Sequence, residues 1–300
     1  MTEEALSFNS VSELYKIVGG YKINNLAVDS RYFREHLLEY VNEEIAVSEK
    51  YISSRNQNPH MVKFFWGHDH DFGYFKLSGL MGTRHIWLLS RMLDHFGLSL
   101  NDLAGKTVLD VGCWTGGVSL ILSKLAAEVY AIDEIHKYVD VVNFLSESFD
   151  IKNLYAKWLS LYEVNTAFNR NKFDFVFCFG VIYHLTDPLV GLRRIYNSMA
   201  PGGLLCIETM SHPMEESVCI YEGPSISEGI CGWNYFIPSP KAFQRLLQDA
   251  GFEVVHIGNG VKPLSVTSSN DPLGENRCLA LARKVSNHVF CRAGISVDID

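Results

Sequence analysis

From residue 101 to residue 284, short apolar runs alternate with segments in which apolar residues recur at helical spacing. Short apolar runs bounded by glycine, proline or polar residues predict buried strands. Apolar residues that recur every three to four positions predict amphipathic helices. This alternation predicts an α/β fold with a doubly wound, mostly parallel sheet covered by helices on both faces. The predicted strands are 107–111, 128–132, 153–157, 173–179, 203–209, 253–257 and 277–284, and the predicted helices are 117–126, 136–149, 188–199 and one that opens at Ser239-Pro240.

The residues before 101 follow a different pattern, with apolar spacing that predicts helices at 6–18, 32–47 and 83–96. The stretch 56–81 is rich in aromatic residues, histidine and glycine, and predicts a strand or a covering loop. The stretch 211–238 contains several glycine and proline residues and predicts a long functional loop. The resulting division is a helical N-terminal cap and substrate region at 1–100, a core at 101–285 with a lid insertion at 211–238, and a tail at 286–300.

Residues 107–117 carry the most informative pattern, Thr-Val-Leu-Asp-Val-Gly-Cys-Trp-Thr-Gly-Gly. An apolar run ends in an acid, a glycine-rich turn opens a helix, and a second apolar run ends in Asp133. This order predicts one βαβ unit with a nucleoside-sized pocket at the carboxyl ends of its strands. Asp133 lies 21 residues after Gly112 and is placed to accept both hydroxyls of a ribose.

Trp114 bears on the identity of the ligand. A dinucleotide fingerprint has a glycine at this position so that the backbone can approach a pyrophosphate. The tryptophan would crowd a pyrophosphate, and the turn contains no lysine or arginine. A nucleoside ligand without phosphates, such as S-adenosylmethionine, therefore suits the turn better than NAD. A βαβ crossover without any ligand remains the alternative.

Charge and cysteine content narrow the function classes. The chain has 26 Lys and Arg against 34 Asp and Glu, a net charge of −8, with no dense basic run. Nucleic acid is therefore an unfavoured partner, since binding it usually needs a basic surface. No apolar run reaches the length of a membrane span. The seven cysteines form no CxxC pair, which favours a reducing, cytoplasmic setting.

The chain resembles the class I S-adenosylmethionine-dependent methyltransferases over about residues 83–284. The resemblance is carried by Val108-Leu-Asp-Val-Gly-Cys-x-x-Gly116, by Asp133, by Phe173-Asp174 leading into Phe179-Gly-Val-Ile-Tyr-His184, and by Leu189-x-x-x-Arg193 and Ala200-Pro-Gly-Gly-Leu204. It implies a Rossmann-like sheet of seven strands with an antiparallel final strand. It also implies S-adenosyl-L-methionine as cofactor and S-adenosyl-L-homocysteine as product. The cofactor-binding residues expected from the turn and the resemblance are Asp110, Gly112, Trp114, Gly116, Asp133, Glu134, Leu159, Ser160, Phe179 and Gly180.

A closer resemblance is to the bacterial tRNA wobble-uridine carboxymethyltransferase family. It rests on Gly180-Val-x-Tyr183-His184, on Glu208-Thr209 and on Tyr235-Phe-Ile-Pro-Ser239. The chain departs from that family at Trp114, at Leu185-Thr186 in place of arginines, and in its acidic charge. A carboxylated cofactor would also need a cation such as Lys76 or Arg84. The favoured prediction is transfer of an ordinary methyl group to a small molecule, with tRNA carboxymethylation as the alternative.

Two residues after the fourth predicted strand are the catalytic candidates. His184 follows the strand whose end faces the sulfonium in this fold, and it is predicted to be a general base or an orienting group. Tyr183 is predicted to contact the methyl group or the substrate.

His68-Asp69-His70-Asp71 offers a possible metal pattern, but no third ligand is indicated and no metal is expected. The predicted substrate residues are Trp66, Tyr74, Arg84, Trp233 and Tyr235, with Phe65 as a further wall residue. A nucleoside-binding protein without catalysis on the same fold remains a further alternative.

Overall fold

The computed structural model of the chain describes residues 10–42, 64–221, 226–227, 230–231, 234–259, 277–287, 289–292 and 295–297. The chain divides into two compact units, and each is described by itself below. Unit 1 contains the described residues within 10–106 and 113–158, and unit 2 contains the described residues within 107–112, 159–259 and 277–297. The predicted domain boundaries near residues 100 and 285 stay a prediction.

Seven strands form the main sheet in the order β12-β13-β7-β6-β3-β4-β5. β3 pairs with β6, β6 with β7 and β4 with β5 in parallel, whereas β13 runs antiparallel to both β7 and β12. The doubly wound, mostly parallel fold and its antiparallel final strand are thereby confirmed. The strands are β3 (Thr107–Val111), β4 (Glu128–Asp133), β5 (Leu154–Trp158), β6 (Phe173–Phe179), β7 (Met199–Met210), β12 (Phe252–Asn259) and β13 (Arg277–Lys284).

The described residues also form eight α-helices and several short strand pairs. The helices are α1 (Val11–Gly19), α2 (Ser30–Asn42), α3 (Arg84–His95), α4 (Gly117–Ser123), α5 (His136–Ser148), α6 (Val164–Ala167), α7 (Pro188–Ser198) and α8 (Pro240–Asp249). The short antiparallel pairs are β1 (His70–Asp71) with β2 (Lys76–Leu77), β8 (Cys219–Tyr221) with β11 (Phe236–Pro238), β9 (Ile226–Ser227) with β10 (Ile230–Cys231), and β14 (Val289–Arg292) with β15 (Ile295–Val297). None of the described helices is long and apolar enough to cross a membrane.

Several predicted elements differ in length from the observed ones, and α4 and β7 are two of them. Helix α4 ends at Ser123 rather than at residue 126, because the Asn153 side chain donates hydrogen bonds to the Ser123 and Ala126 carbonyls and satisfies that helix end. Strand β7 begins at Met199 rather than at residue 203, because Met199 pairs with Phe173 across an irregularity in the ladder. The sequence around this point contains Pro201-Gly202-Gly203, which predicted a helix stop rather than a strand.

The aromatic stretch of unit 1 forms a two-stranded flap, which we define as residues 64–82. Beyond the β1–β2 pair, Leu80 N–H donates to the Trp66 carbonyl (2.8 Å) and Met81 N–H to the Gly67 carbonyl (2.9 Å). Asp69 N–H donates to the carbonyl of Gly82 at 2.9 Å. The flap is therefore tied together by backbone hydrogen bonds on both sides of its turn. Beneath it lies an aromatic cluster made of Phe33, Phe72, Phe144 and Phe149.

Candidate cofactor and active site

In unit 1, the glycine-rich turn after β3 is closed by its own backbone. Cys113 N–H donates to the Ile132 carbonyl of β4 at 3.1 Å, and Gly116 N–H donates to the Cys113 carbonyl at 2.8 Å. Between them, Trp114 has a φ of +48°, a left-handed conformation that bulky side chains rarely adopt. The turn is thus specified by tertiary bonds rather than by the local preference of the residue at its tip.

Asp133, at the end of β4, is the acid predicted to hold a ribose. Its Oδ2 accepts the Trp114 backbone N–H at 3.1 Å, and its Oδ1 accepts the Ile135 N–H at 2.9 Å. Burial raises the pKa of Asp133 to about 6, although these backbone hydrogen bonds act to lower it. A backbone hydrogen bond from Glu134 also reaches the Asp133 carboxylate, so three backbone donors orient this acid. The role predicted for Asp133, holding a nucleoside ribose, stays a prediction.

The Trp114 side chain points to the flap. Its indole Nε1–H donates to the Phe65 carbonyl at 2.9 Å, and its ring meets the Tyr138 ring edge-on at 6.3 Å. The Tyr138 hydroxyl in turn accepts the Phe65 N–H at 3.3 Å. Beside the tryptophan, the Thr115 hydroxyl accepts the N–H of Gly67 at 3.1 Å. The residue that departs from the dinucleotide fingerprint is thus the point where the flap is attached to the turn.

Three histidines lie in unit 1 close to this attachment: His70 and His85 are buried and His68 is half-buried. The rings of His68 and His85 are 4.2 Å apart, and the His68 ring also meets the Trp114 ring at 5.3 Å. Burial lowers the pKa of His68 to about 3 and that of His70 to about 4, and it lowers the pKa of His85 well below its usual value. All three imidazoles are therefore neutral at pH 7. Both ring nitrogens of His85 are buried and have no hydrogen-bond partner in the described part of the chain.

In unit 2, the residues that close β3 are packed tightly. Asp110 is buried, with 3 % of its surface exposed. Gly112 follows with a φ of +73°, and a Cβ at this position would clash with the Val181 side chain. Only glycine satisfies both the backbone conformation and the close approach. Glycine is therefore required at position 112 because Val181, in the segment that follows β6, packs directly against it.

The catalytic candidates lie in the segment that follows β6 in unit 2. Residues 182–184 form a single 3-10 turn, closed by the bond from His184 N–H to the Val181 carbonyl (2.9 Å). Tyr183 is buried and His184 is half-buried, with their rings 4.0 Å apart. Tyr235 N–H donates to the Tyr183 carbonyl at 2.7 Å. The structure therefore brings together Tyr183, His184 and one predicted substrate residue.

A buried ion pair that the sequence analysis did not identify supports Tyr183. Arg277 opens β13 and pairs with Met210 of β7, and the side chain of Glu208, two positions before Met210, forms a hydrogen-bonded salt bridge with Arg277. Burial is the largest single effect and acts to lower the pKa of Arg277, but the charges of Glu208 and Tyr183 and the hydrogen bonds to them together raise it. The Arg277 guanidinium also lies over the Tyr183 ring, 5.1 Å from its centroid, with Nη2 3.5 Å from the hydroxyl. The sequence signals available for this cluster were Glu208 in the motif Glu208-Thr209 and an arginine at the head of an apolar run.

The remaining predicted site residues are placed as follows. The Ser160 hydroxyl accepts the Tyr162 N–H at 3.3 Å and begins a 3-10 turn after Leu159. The Glu134 carbonyl accepts the Trp158 indole N–H at 2.9 Å. Trp66 and Arg84 are buried, whereas Tyr74 is exposed and donates its hydroxyl hydrogen to the Ser30 carbonyl. In unit 2, Phe179 ends β6 and Gly180 follows it, and Trp233 lies outside the described residues. The roles predicted for all of these residues stay predictions.

The metal question concerns the flap histidines. Among the residues that the structure describes, no group of three or more His, Cys, Asp or Glu side chains could hold a metal ion. His68 and His70 point into the interior of unit 1, while the side chain of Asp71 forms ion pairs with Lys22 (3.0 Å) and Lys76 (3.1 Å). Asp71 thus belongs to an ion-pair network, whereas Asp69 accepts the Gly79 N–H at 2.8 Å.

A family model described as a methyltransferase domain matches residues 87–257, more than half of the chain. Among curated proteins, a tRNA U34 carboxymethyltransferase from Desulfotalea psychrophila is 29 % identical over 170 residues, which cover 55 % of this chain and 51 % of that protein. A protein of the same name from Sulfurovum sp. is 31 % identical over 157 residues, covering 52 % and 50 %. The chain therefore spans about half the length of the curated relatives it matches.

Solved structures agree on the fold. A crystal structure from Listeria monocytogenes, described as a candidate S-adenosylmethionine-dependent methyltransferase, superimposes with a TM-score of 0.51. The match covers 65 % of this chain and 99 % of that one, at 13 % sequence identity. At this identity the likeness shows a common fold and no more.

Proposed function

Because the chain belongs to the methyltransferase-domain family, whose model matches residues 87–257, we propose that it transfers a methyl group from S-adenosylmethionine to a small-molecule acceptor. The observation that carries the choice of cofactor is Asp133, a carboxylate at the end of β4 whose two oxygens are oriented by the Trp114 and Ile135 N–H groups. An oriented acid of this kind binds both hydroxyls of a ribose. Trp114 beside it leaves no bare backbone for a pyrophosphate.

The net charge of −8 and the absence of a basic run support a small acceptor. A tRNA acceptor is held largely through its phosphates, and each phosphate contact needs a lysine, an arginine or a backbone donor. We also assign the protein to a reducing cytoplasm, since Cys113, Cys178, Cys206, Cys219 and Cys278 are free thiols.

The cofactor supplies a methyl group that is already activated by its attachment to a sulfonium. The protein therefore has to orient an acceptor, exclude water and, for a hydroxyl or amine acceptor, take up one proton. We assign the proton to His184, which is half-buried and held by its backbone bond to Val181. Tyr183 is fixed by Arg277 and by Tyr235, and we assign it to orienting the acceptor.

Carboxymethylation of a tRNA is the second candidate, and two observations favour it. The curated relatives reported above carry that name, and a buried cation, Arg277, lies at Tyr183. A carboxylated cofactor would bring a second carboxylate to a guanidinium that Glu208 already neutralises. Of the cations suggested by the sequence, Lys76 pairs with Asp71 and Arg84 is buried beside the Met81 sulfur. These pairings favour the cofactor without the extra carboxylate.

The deciding experiment compares thermal unfolding with S-adenosylhomocysteine, carboxy-S-adenosylmethionine and NAD, each in excess. A ligand at 100 times its dissociation constant adds about 2.7 kcal/mol to the free energy of unfolding. We expect a clear upward shift with S-adenosylhomocysteine and none with NAD. A larger shift with the carboxylated compound would replace our proposal by the carboxymethyl reaction. A shift with NAD alone, or with none of the three, would overturn the choice of cofactor.

A further inference from the structure

Trp114 stands where a dinucleotide fingerprint has a glycine, and it makes hydrogen bonds in two directions. Its backbone N–H binds the predicted ribose acid, Asp133, at 3.1 Å. Its indole N–H binds the flap at the Phe65 carbonyl at 2.9 Å. A φ of +48° is unfavourable for a tryptophan, so the tertiary contacts must hold the residue in this conformation.

The attachment of the flap to the turn leaves no spare space. A Cβ added to Gly67 would lie only 2.5 Å from the Trp114 indole, and one added to Gly117 would lie 2.5 Å from the His68 Nδ1. On the other flap strand, Gly79 lies directly against the His68 backbone. The Gly67 N–H also binds the Thr115 hydroxyl. The inner strand of the flap is therefore fitted to the turn by close backbone contact as well as by two hydrogen bonds.

The outer surface of the flap gives this attachment a functional meaning. Phe65, Leu80 and Met81 are apolar and exposed, at 41 %, 65 % and 40 % of their surface. Backbone hydrogen bonds pair Leu80 with Trp66 and Met81 with Gly67. Leu80 and Met81 therefore lie on the flap strand opposite the one that is bonded to Trp114. Exposed apolar residues on a rigid support are suited to contact an apolar or planar ligand.

We propose that Trp114 is a positioning residue that couples cofactor binding at Asp133 to ordering of the flap, whose outer residues Phe65, Leu80 and Met81 contact the acceptor. This inference rests on the proposed function. A ligand that fixes Asp133 also fixes the Trp114 backbone, and the indole of the same residue carries the Phe65 strand. Coupling of this kind is reciprocal, so a loosened flap weakens cofactor binding by the same factor.

The test is hydrogen exchange of the flap peptides with and without S-adenosylhomocysteine, in the full chain. The variants are Trp114→Phe, which keeps a ring but loses the indole N–H, Trp114→Gly, which loses both and relaxes the φ, and Thr115→Val, which loses only the bond to Gly67. Trp158→Phe is the matched control, because Trp158 also donates an indole N–H to a carbonyl at 2.9 Å, on the edge strand β5.

In the unaltered protein and in Trp158→Phe, we expect S-adenosylhomocysteine to slow exchange in residues 64–82 about tenfold. In Trp114→Gly the ligand should still bind and protect the end of β4, while its effect on the flap should fall below about twofold. Trp114→Phe and Thr115→Val should lie between these limits. The readout is the ligand-dependent difference, which a purely structural tryptophan would not change.

Equal ligand-dependent protection of the flap in the unaltered protein and in all three variants would overturn the inference. Binding of S-adenosylhomocysteine with no protection of the flap in the unaltered protein would also overturn it, while leaving the proposed cofactor in place. Failure of S-adenosylhomocysteine to bind the unaltered protein would instead defeat the proposed function itself.

Discussion

The turn region of unit 1 and the strand-end region of unit 2 hold their candidate functional residues by opposite means. Around Trp114 and Asp133, backbone hydrogen bonds and neutral histidines position the side chains, and the ion pairs of Asp71 lie at the surface. Around Tyr183, a buried and hydrogen-bonded ion pair does so. A buried charge is stable only while its partner remains, whereas a neutral imidazole is stable only while it stays unprotonated. The first region should therefore be sensitive to acid and the second to loss of a charge.

The largest expected effect is the removal of Glu208. Glu208→Ala leaves the Arg277 guanidinium buried without its partner, so we expect a loss of about 3–5 kcal/mol in the free energy of unfolding, measured by urea titration. The double variant Glu208→Leu with Arg277→Met should recover most of the loss. A loss below about 1 kcal/mol in Glu208→Ala would mean that the pair is not buried as described.

Replacement of His184 should separate chemistry from binding in unit 2. We expect His184→Gln to lower methyl transfer by about 10²–10⁴-fold, because the acceptor proton loses its base. Transfer of labelled methyl to a small-molecule extract measures the reaction, and calorimetry with S-adenosylhomocysteine should give an unchanged dissociation constant. Full turnover in this variant would remove His184 from the mechanism and leave Tyr183 as the remaining candidate.

Acid should destabilise unit 1 through its histidines. The folded-state pKa values of His68 (about 3) and His70 (about 4) lie below the unfolded value of about 6.5, so the unfolded chain binds more protons between these limits. Stability is therefore complete above about pH 6.5 and is lost as the pH falls towards 4. Asp133, with its raised pKa, acts in the opposite direction but as a single group.

Between pH 6.5 and pH 5 we expect a loss of about 2–4 kcal/mol, since each histidine contributes at most about 1.4 kcal/mol per pH unit. Denaturant titrations at several pH values measure it. His68→Asn combined with His85→Gln should flatten the dependence. A profile that is already flat in the unaltered protein would mean that these imidazoles are not buried in their neutral form.

Asp133→Asn tests the cofactor acid. We expect S-adenosylhomocysteine to bind about 10–100-fold more weakly, because hydrogen bonds to a charged acceptor are worth about 1.5–3 kcal/mol. In the unaltered protein the affinity should fall below about pH 6, where Asp133 becomes protonated. Asp140→Asn is the matched control, since Asp140 is an acid of α5 that pairs with His136 at 2.7 Å. Equal affinities in the two variants would remove Asp133 from the site.

The smallest expected effect concerns the ion pairs of the flap. Asp71→Asn removes both pairs, with Lys22 and Lys76, but these side chains are largely exposed. We expect a change in the free energy of unfolding of less than about 1 kcal/mol, decreasing further at high salt. A loss as large as that of Glu208→Ala would contradict the distinction between the two regions.

The order of strands and helices in the main sheet could be predicted from the sequence, because apolar runs and helical spacing report burial directly. Phe173-Asp-Phe-Val-Phe-Cys-Phe179 is apolar on both faces, as a strand covered on both sides must be, and it forms β6 with the predicted bounds. The end of α4 could not be predicted, because it depends on the Asn153 side chain, thirty residues away along the chain.

The candidate site likewise contains features that the sequence could predict and features that it could not. Asp133 and the glycine turn could be predicted because a βαβ unit places them by local spacing alone, and their contact is observed. The Arg277–Glu208 pair could not, since β7 and β13 are separated by a long stretch of chain and only their antiparallel register sets Arg277 beside Glu208. The tether from Trp114 to Phe65 likewise joins residues 49 positions apart.

The sequence by itself therefore determined the α/β class, the strand order along the chain and the acid-ended turn, because these follow from periodicity and short spacing. Only the tertiary structure decided that Trp114 is hydrogen-bonded to the flap, that the imidazoles of His68, His70 and His85 are neutral, and that Tyr183 lies against an ion pair. The physical reason is that burial and the pairing of charges depend on which distant segments meet. That information is not contained in the pattern of any single segment.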